Sequence, residues 1–388
     1  MDMTQDIRDF VTASTGLLAF GEPTHLEPAF GRIRNELFAR LTDHGFSSIA
    51  LETDRVAALA VHDFVHNGVG TLEQAMRDGF SHRFGELETN RRLVAWMREY
   101  NENRPEHERL AFHGFDMSTE MMSAPSPRTY LEHVRDYLAL DLDLASLTGD
   151  DERWSRTEAV LDPAVSVGAT AEADRLRVLA DDLLTTLHAR APELIAATSP
   201  AEWHRARIHL GSALGLLCYH RQAAERVDDT TRWTRLAVIR DAQMARNLLD
   251  IREIEAPRGR TLVFAHNLHL QRNPSHLMLG PMPLQWFSAG AIVASLLGEQ
   301  YTFVAGSLGR SDALALSEPG PDTYEAFLQR LTSSWALVPA TAVTGTRPRT
   351  DQTPEQGYFP LEQPVLDTAD AVLHVSGTAK VPVPGGRS

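Results

Sequence analysis

Four stretches of this chain set titratable side chains directly after an apolar run. Leu17 to Phe20 leads into Glu22 and His25, and Ser48 to Leu51 leads into Glu52. Leu110 to Phe112 leads into His113 and Asp116, and Thr261 to Ala265 leads into His266, Asn267 and His269. A neutral imidazole is the usual general base near pH 7, and a neighbouring carboxylate fixes its tautomer and steadies the imidazolium it becomes. Arg34, nine residues after His25, adds a fixed positive charge for a developing oxyanion. The nucleophile in such a site is a water held by His25 and a carboxylate.

These residues need elements that bring them together. Apolar runs closed by Gly21 and by polar residues read as buried strands, and Phe30, Ile33, Leu37 and Leu41 recur at helical spacing. A helix stop at Gly45 and a second strand, SSIALE, complete a β-α-β unit. One His or Glu after a strand ordinarily caps a helix or faces solvent. Four strands ending this way imply a shared cleft, because parallel strands put their carboxyl ends on one edge, where ligands bind in open α/β sheets.

The pattern therefore predicts an α/β fold, a mostly parallel sheet flanked by helices, with an all-helical insertion. Residues 1–124 are the first part of the catalytic core, 125–227 a helical insertion that packs on the sheet edge or roofs the cleft, and 228–388 the second part of the core. Short helices are expected over 54–66 and 71–78, and a longer one from Phe84 to Tyr100, with Glu86 at its start as a cap or a cleft residue. Arg240, Asp241, Met244 and Asn247 fall near one face of a helix over 230–254, an arrangement that ordinarily makes a surface ion pair. Further helices around Ala289 to Leu297 and Tyr324 to Leu331, and strands at Tyr301 to Ser307 and Ala371 to Val375, extend the alternation. The stretch from Thr341 to Pro364 reads as a long surface loop, and VPVPGGRS as a frayed tail.

Composition narrows the function. A formal net charge of -15 disfavours nucleic acid and anionic membrane as partners, leaving a small-molecule substrate. The start, MDMTQDIRDF, has neither a basic nor an apolar leader segment, so a cytoplasmic protein is expected. Cys218 is the only cysteine, which excludes an internal disulfide and a multi-cysteine zinc site. Lys380 is the only lysine, which removes a P-loop lysine and argues against Schiff-base chemistry. G-x-S-x-G, G-x-G-x-x-G and H-E-x-x-H are all missing, and a His/Glu-centred site remains.

Gly-Glu-Pro-Thr-His at 21–25, Arg34, Ala-Leu-Glu at 50–52, Trp-Met-Arg-x-Tyr-Asn at 96–101, Gly-Phe-Asp-Met at 114–117, Arg-Asp-x-x-Met-Ala-x-Asn at 240–247 and Ala-His-Asn-x-His at 265–269 form an ordered set. With that set the chain resembles the erythromycin esterase family over most of its length, the insertion apart. The resemblance implies an α/β fold with a helical insertion and hydrolysis of an ester or lactone by His-activated water, with no cofactor. It makes His25 the general base, Glu22 and Glu52 its carboxylate partners, Arg34 the electrostatic element and either His266 or His269 a second essential imidazole. His113, Asp116, Asn267 and Glu86 are then candidates for substrate contact. Leu26 and Glu27 stand where that family usually has glycine and a small polar residue, which weakens a macrolide as the substrate. The alternative readings are a hydrolase that binds a divalent metal such as zinc or manganese in the same cleft, a related non-hydrolytic natural-product enzyme, and a non-enzymatic binder of a small ligand or haem. Oligomeric state is not encoded in any of these signals.

Overall fold

The computed structural model describes residues 5–120 and 122–377, so Lys380 and the VPVPGGRS tail lie outside the described residues. Seven strands form one sheet: β1 (Leu17–Glu22), β2 (Phe46–Asp54), β3 (Ala111–Asp116), β4 (Arg260–His266), β7 (Tyr301–Leu308), β8 (Trp335–Pro339) and β9 (Ala371–Val375). Between β4 and β7 the chain makes a separate antiparallel hairpin of β5 (Ser275–Leu279) and β6 (Met282–Trp286). The sheet order is β3-β2-β4-β1-β7-β9-β8, and every pairing is parallel except β8 with β9. This is the α/β fold with a helical insertion that the alternation predicted.

The strands run as apolar blocks because both faces of the sheet are covered. All six residues of β1 and all eight of β7 are buried. On one face the Pro28–Leu41 and Glu88–Asn101 helices deliver Phe30, Ile33, Leu37, Leu93, Val94 and Met97 into a large core. On the other face the Asp229–Glu255 and Ala289–Leu297 helices deliver Met244, Leu248, Ile251 and Val293. The block over 125–227 carries only helices, and Leu131, Leu176, Leu183, Leu210 and Leu217 pack into a third cluster of its own. No helix among the described residues is long and apolar enough to cross a membrane.

Three details differ from the sequence expectation. The helix expected from Phe84 begins at Glu88, because His82 and Arg83 take positive φ and Leu87 is extended, leaving Phe84–Glu86 as one 3-10 turn. The hairpin and β8 carried too little signal: Ser275 to Trp286 alternates weakly around a Gly280 turn and contains Pro283, while Trp335 to Pro339 is only five residues. The 341–364 stretch is irregular as expected, yet Arg349, Tyr358 and Leu361 are buried rather than superficial.

Candidate active site

β1 ends at Glu22, and Pro23 stops further pairing while the Thr24 hydroxyl accepts the Leu26 N–H in a tight turn. Glu27 caps the next helix through the Ala29 N–H, with Pro28 at its first position. That turn folds His25 back on the strand end. Its Nδ1 lies 2.8 Å from Glu22 Oε1, and its Nε2 lies 3.8 Å from Glu52 Oε1, close enough for one water to touch both. Glu52 is re-aimed by a shift of register between β2 and β3 that falls between Leu51 and Asp54.

Glu52 is the hub. Its Oε2 accepts the His266 N–H at 2.8 Å, which pins the carboxylate to the end of β4. Its Oε1 faces His25, His269 Nε2 at 3.4 Å and Arg240 at 3.3 Å. Burial works to raise the Glu52 pKa, but the charges on His269, His25 and Arg240 hold it down at about 2. Burial also opposes charge on His25, yet the Glu52 charge and the hydrogen bond to Glu22 lift the imidazole to about 9. Burial pushes the Glu22 carboxyl up. His266 goes the other way, held down at about 3 by burial and by His25, whose ring centroid is 5.3 Å away. Its Nδ1 accepts the Leu268 N–H and so stays unprotonated there.

Behind the hub, Arg240 donates to both oxygens of fully buried Asp116, at 3.0 and 2.6 Å, and Asp116 also meets His82 Nε2 at 3.0 Å. Asp241 holds His269 Nδ1 at 2.9 Å and accepts from the Trp286 indole and the Ala289 N–H, each at 2.8 Å. The Arg240–Asp241 pair is thus no surface ion pair. The two adjacent residues reach different parts of the buried network, which spacing alone does not disclose. His82, Phe84 and Trp286 were not singled out by sequence; His82 and Phe84 follow no apolar strand, and Trp286 belongs to the weakly marked hairpin.

A cavity of about 250 Å³ opens over His25, lined among others by Glu22, Glu52, Arg34, Phe84 and Phe264. None of its lining residues comes from 125–227; its outer wall is the 80–90 segment instead. Arg34 is buried, and its hydrogen-bond partners are neutral: the Asn35 and Asn90 side chains and the Thr89 carbonyl, with its guanidinium 4.8 Å from the Phe264 ring centre. Burial accordingly pulls its pKa down to about 10.

The structure gathers His25, Glu22, Glu52, Arg34, His266, His269 and Asp116, and commits the other three named candidates to different partners. His113 lies inside β3 and bonds Glu255 at 2.7 Å and Arg55 at 3.1 Å. Glu255 is fourteen residues beyond Asp241 on the same helix, so His113 points to ground roughly 21 Å along that axis. Glu86 is exposed and pairs with Arg83, because the late helix start turns it outward. Asn267 is a structural clamp: its amide donates to the Gly306 carbonyl and accepts the Gly306 N–H, both at 2.9 Å, while Gly21 has no room for a Cβ, which would lie 2.1 Å from Asn267 Oδ1. Asn267→Ala should strand two buried backbone groups and lower unfolding free energy by about 2 to 4 kcal/mol. Urea denaturation with an unchanged m-value checks this. Among the described residues, no three His, Cys, Asp or Glu side chains cluster in a way that would hold a metal ion.

Comparison with known proteins gives the fold its relatives. A crystal structure of a Bacillus cereus protein superposes with a TM-score of 0.68 at 15% identity, covering 95% of this chain and 90% of that one. A succinoglycan biosynthesis protein gives a TM-score of 0.65 at 15% identity over 94% and 88%. A histidine-to-asparagine mutant of the erythromycin esterase EreC in its open conformation gives 0.65 at 18% identity over 98% and 97%. No curated protein matches the chain. The family profile described as Erythromycin esterase matches residues 41–378, a span that starts after Arg34 and takes in Glu52, Asp116, Arg240, His266 and His269. The chain belongs to the erythromycin esterase family.

Proposed function

We propose that the protein is a carboxylic ester hydrolase that opens an ester or lactone of a natural-product-type small molecule with a water activated by His25. The observation that carries this reading is His25 standing between two carboxylates, Glu22 at 2.8 Å and Glu52 at 3.8 Å, on the wall of a cavity that also holds an Arg34 whose hydrogen-bond partners are neutral. Water beside Glu52 gives a proton to His25 Nε2 as its oxygen bonds to the substrate carbonyl carbon. Arg34 faces the resulting oxyanion across the cavity. The tetrahedral intermediate then collapses, the carbon–oxygen bond breaks, and the alkoxide takes the proton back from His25, yielding acid and alcohol.

His25 must shed its proton before it can act as base. Its folded pKa of about 9 lies above the ordinary 6.5, so the charged form is favoured in the fold and the competent neutral fraction grows as pH rises. Accordingly, kcat/KM should climb between pH 7 and 9 with an acid limb near 9. A limb at 6.5 or below would show that the carboxylates do not hold His25 charged. The direct test of the function is a panel of esters and lactones assayed with and without chelator. Cleavage that persists in chelator supports metal-free chemistry, whereas cleavage lost with chelator and restored by zinc or manganese would replace it with a metal-dependent mechanism.

A further inference from the structure

Phe84 has no evident structural reason to be aromatic. Its side chain is half-buried, and among the described residues it joins none of the hydrophobic core clusters and its ring partners are two imidazoles, His25 at 5.1 Å and His82 at 5.7 Å between centroids. It lines the cavity beside His25 with Phe80, Leu87 and Leu26, the last two exposed to solvent.

The turn that presents Phe84 is held in a costly shape. His82 and Arg83 sit at φ of 54° and 60°, where non-glycine residues persist only when their surroundings over-determine them. Here they are over-determined. The Ser81 N–H donates to Thr53 Oγ1 at 2.8 Å, and Ser81 Oγ accepts the Asp54 N–H at 2.9 Å, which ties the turn to the end of β2. His82 is clamped between Asp116 at 3.0 Å and Glu120 at 2.8 Å. Gly85 passes so close to the Met76 carbonyl that a Cβ there would lie 1.9 Å from its oxygen.

We infer that Phe84, presented by this clamped turn, is the specificity wall of the site and selects ligands whose ester is flanked by an alkyl or alicyclic group packed beside His25. This rests on the His25-centred reading of the cavity. Arg34 apart, the site's buried charges are engaged with one another, so the rest of the surface left to discriminate among ligands is largely apolar.

The experiment uses the full chain and n-alkyl acetamides, which carry the ester's shape without being readily cleaved, titrated by calorimetry from methyl to hexyl. Wild-type affinity should rise roughly fourfold per buried methylene until the cavity is full. Phe84→Ala should lose at least about tenfold of the hexyl-over-methyl preference, and Phe84→Leu should keep most of it. Thermal melting within a few degrees of wild type establishes that both variants fold. A Phe84→Ala protein with the wild-type hexyl-over-methyl ratio, or a wild type with no chain-length preference, would overturn the inference. Loss of the preference in Phe84→Ala, in a protein that cleaves no ester, would support the specificity wall and end the hydrolase reading, so the two fail separately.

Discussion

His25→Asn should lower kcat on the cognate ester by about 10² to 10⁴ or more while leaving the fold intact, since a positioned general base contributes a factor of that size. Asparagine keeps a hydrogen-bonding group near Glu22 but cannot take a proton from water. The acid limb near pH 9 should vanish with the activity, because the group that sets it is gone. Glu52→Gln should cost less than His25→Asn if the carboxylate only orients the imidazole, and comparably if it also holds the water. A folded His25→Asn enzyme with near-normal turnover would transfer the base role to another group, and the neutral His266 would be the first to test by the same substitution.

Arg240→Met should destabilise the protein by about 3 to 5 kcal/mol, because it strips the guanidinium from two buried carboxylates at once. Arg240 bonds both Asp116 oxygens and lies 3.3 Å from Glu52. Its loss should also shift acid unfolding. Glu52 titrates at about 2 in the fold against an ordinary 4.5, so its contribution is present above 4.5 and is lost as pH falls toward 2. Without Arg240 the folded pKa rises, and unfolding should begin at a higher pH. Arg240→Lys should recover part of the stability, since lysine restores the charge but not the forked contact with Asp116. Equilibrium denaturation at pH 7 and pH 4 reads both effects, and a variant within 1 kcal/mol of wild type would show that the network is not mutually supporting.

The strand-end pattern of the sequence placed the polar centre well because it depends on a local rule. A buried parallel strand is uniformly apolar, so its first titratable residue marks its carboxyl edge, and Glu22, Glu52, Asp116 and His266 were all legible that way. His113 broke the rule because it is a residue within β3 that points sideways to Glu255 rather than off the end. Asn267 satisfied the rule and still serves packing, since a primary amide can bridge the N–H and C=O of a neighbouring strand as readily as it can touch a ligand. The supporting groups were the harder part. Arg240 lies more than a hundred residues from Glu52 and Asp116, and Asp241 lies 45 residues from Trp286 of the hairpin, whereas helical spacing reports only neighbours on the same helix.

One feature of the sheet bears on how the protein comes to exist at all. β1 and β2 are not neighbours: β4 lies between them, with Leu18 and Ile49 both registered on Leu262. The strand that joins the two halves is therefore made only after the whole helical block has been synthesised. A nascent chain that has passed residue 124 carries β1 and β2 with their shared partner missing, and the helical block can bury its own apolar cluster while the sheet waits. Contacts this distant in sequence make for slow formation, and unpaired strand edges are sites of aggregation in the interval. Truncation before β4 should consequently yield insoluble protein rather than a smaller enzyme, and slower translation through the 125–227 block should lengthen the exposure. His266 and His269 arrive on that same late segment, so the polar centre around Glu52 is assembled only once β4 has joined β1 and β2, with β7, β8 and β9 still to follow.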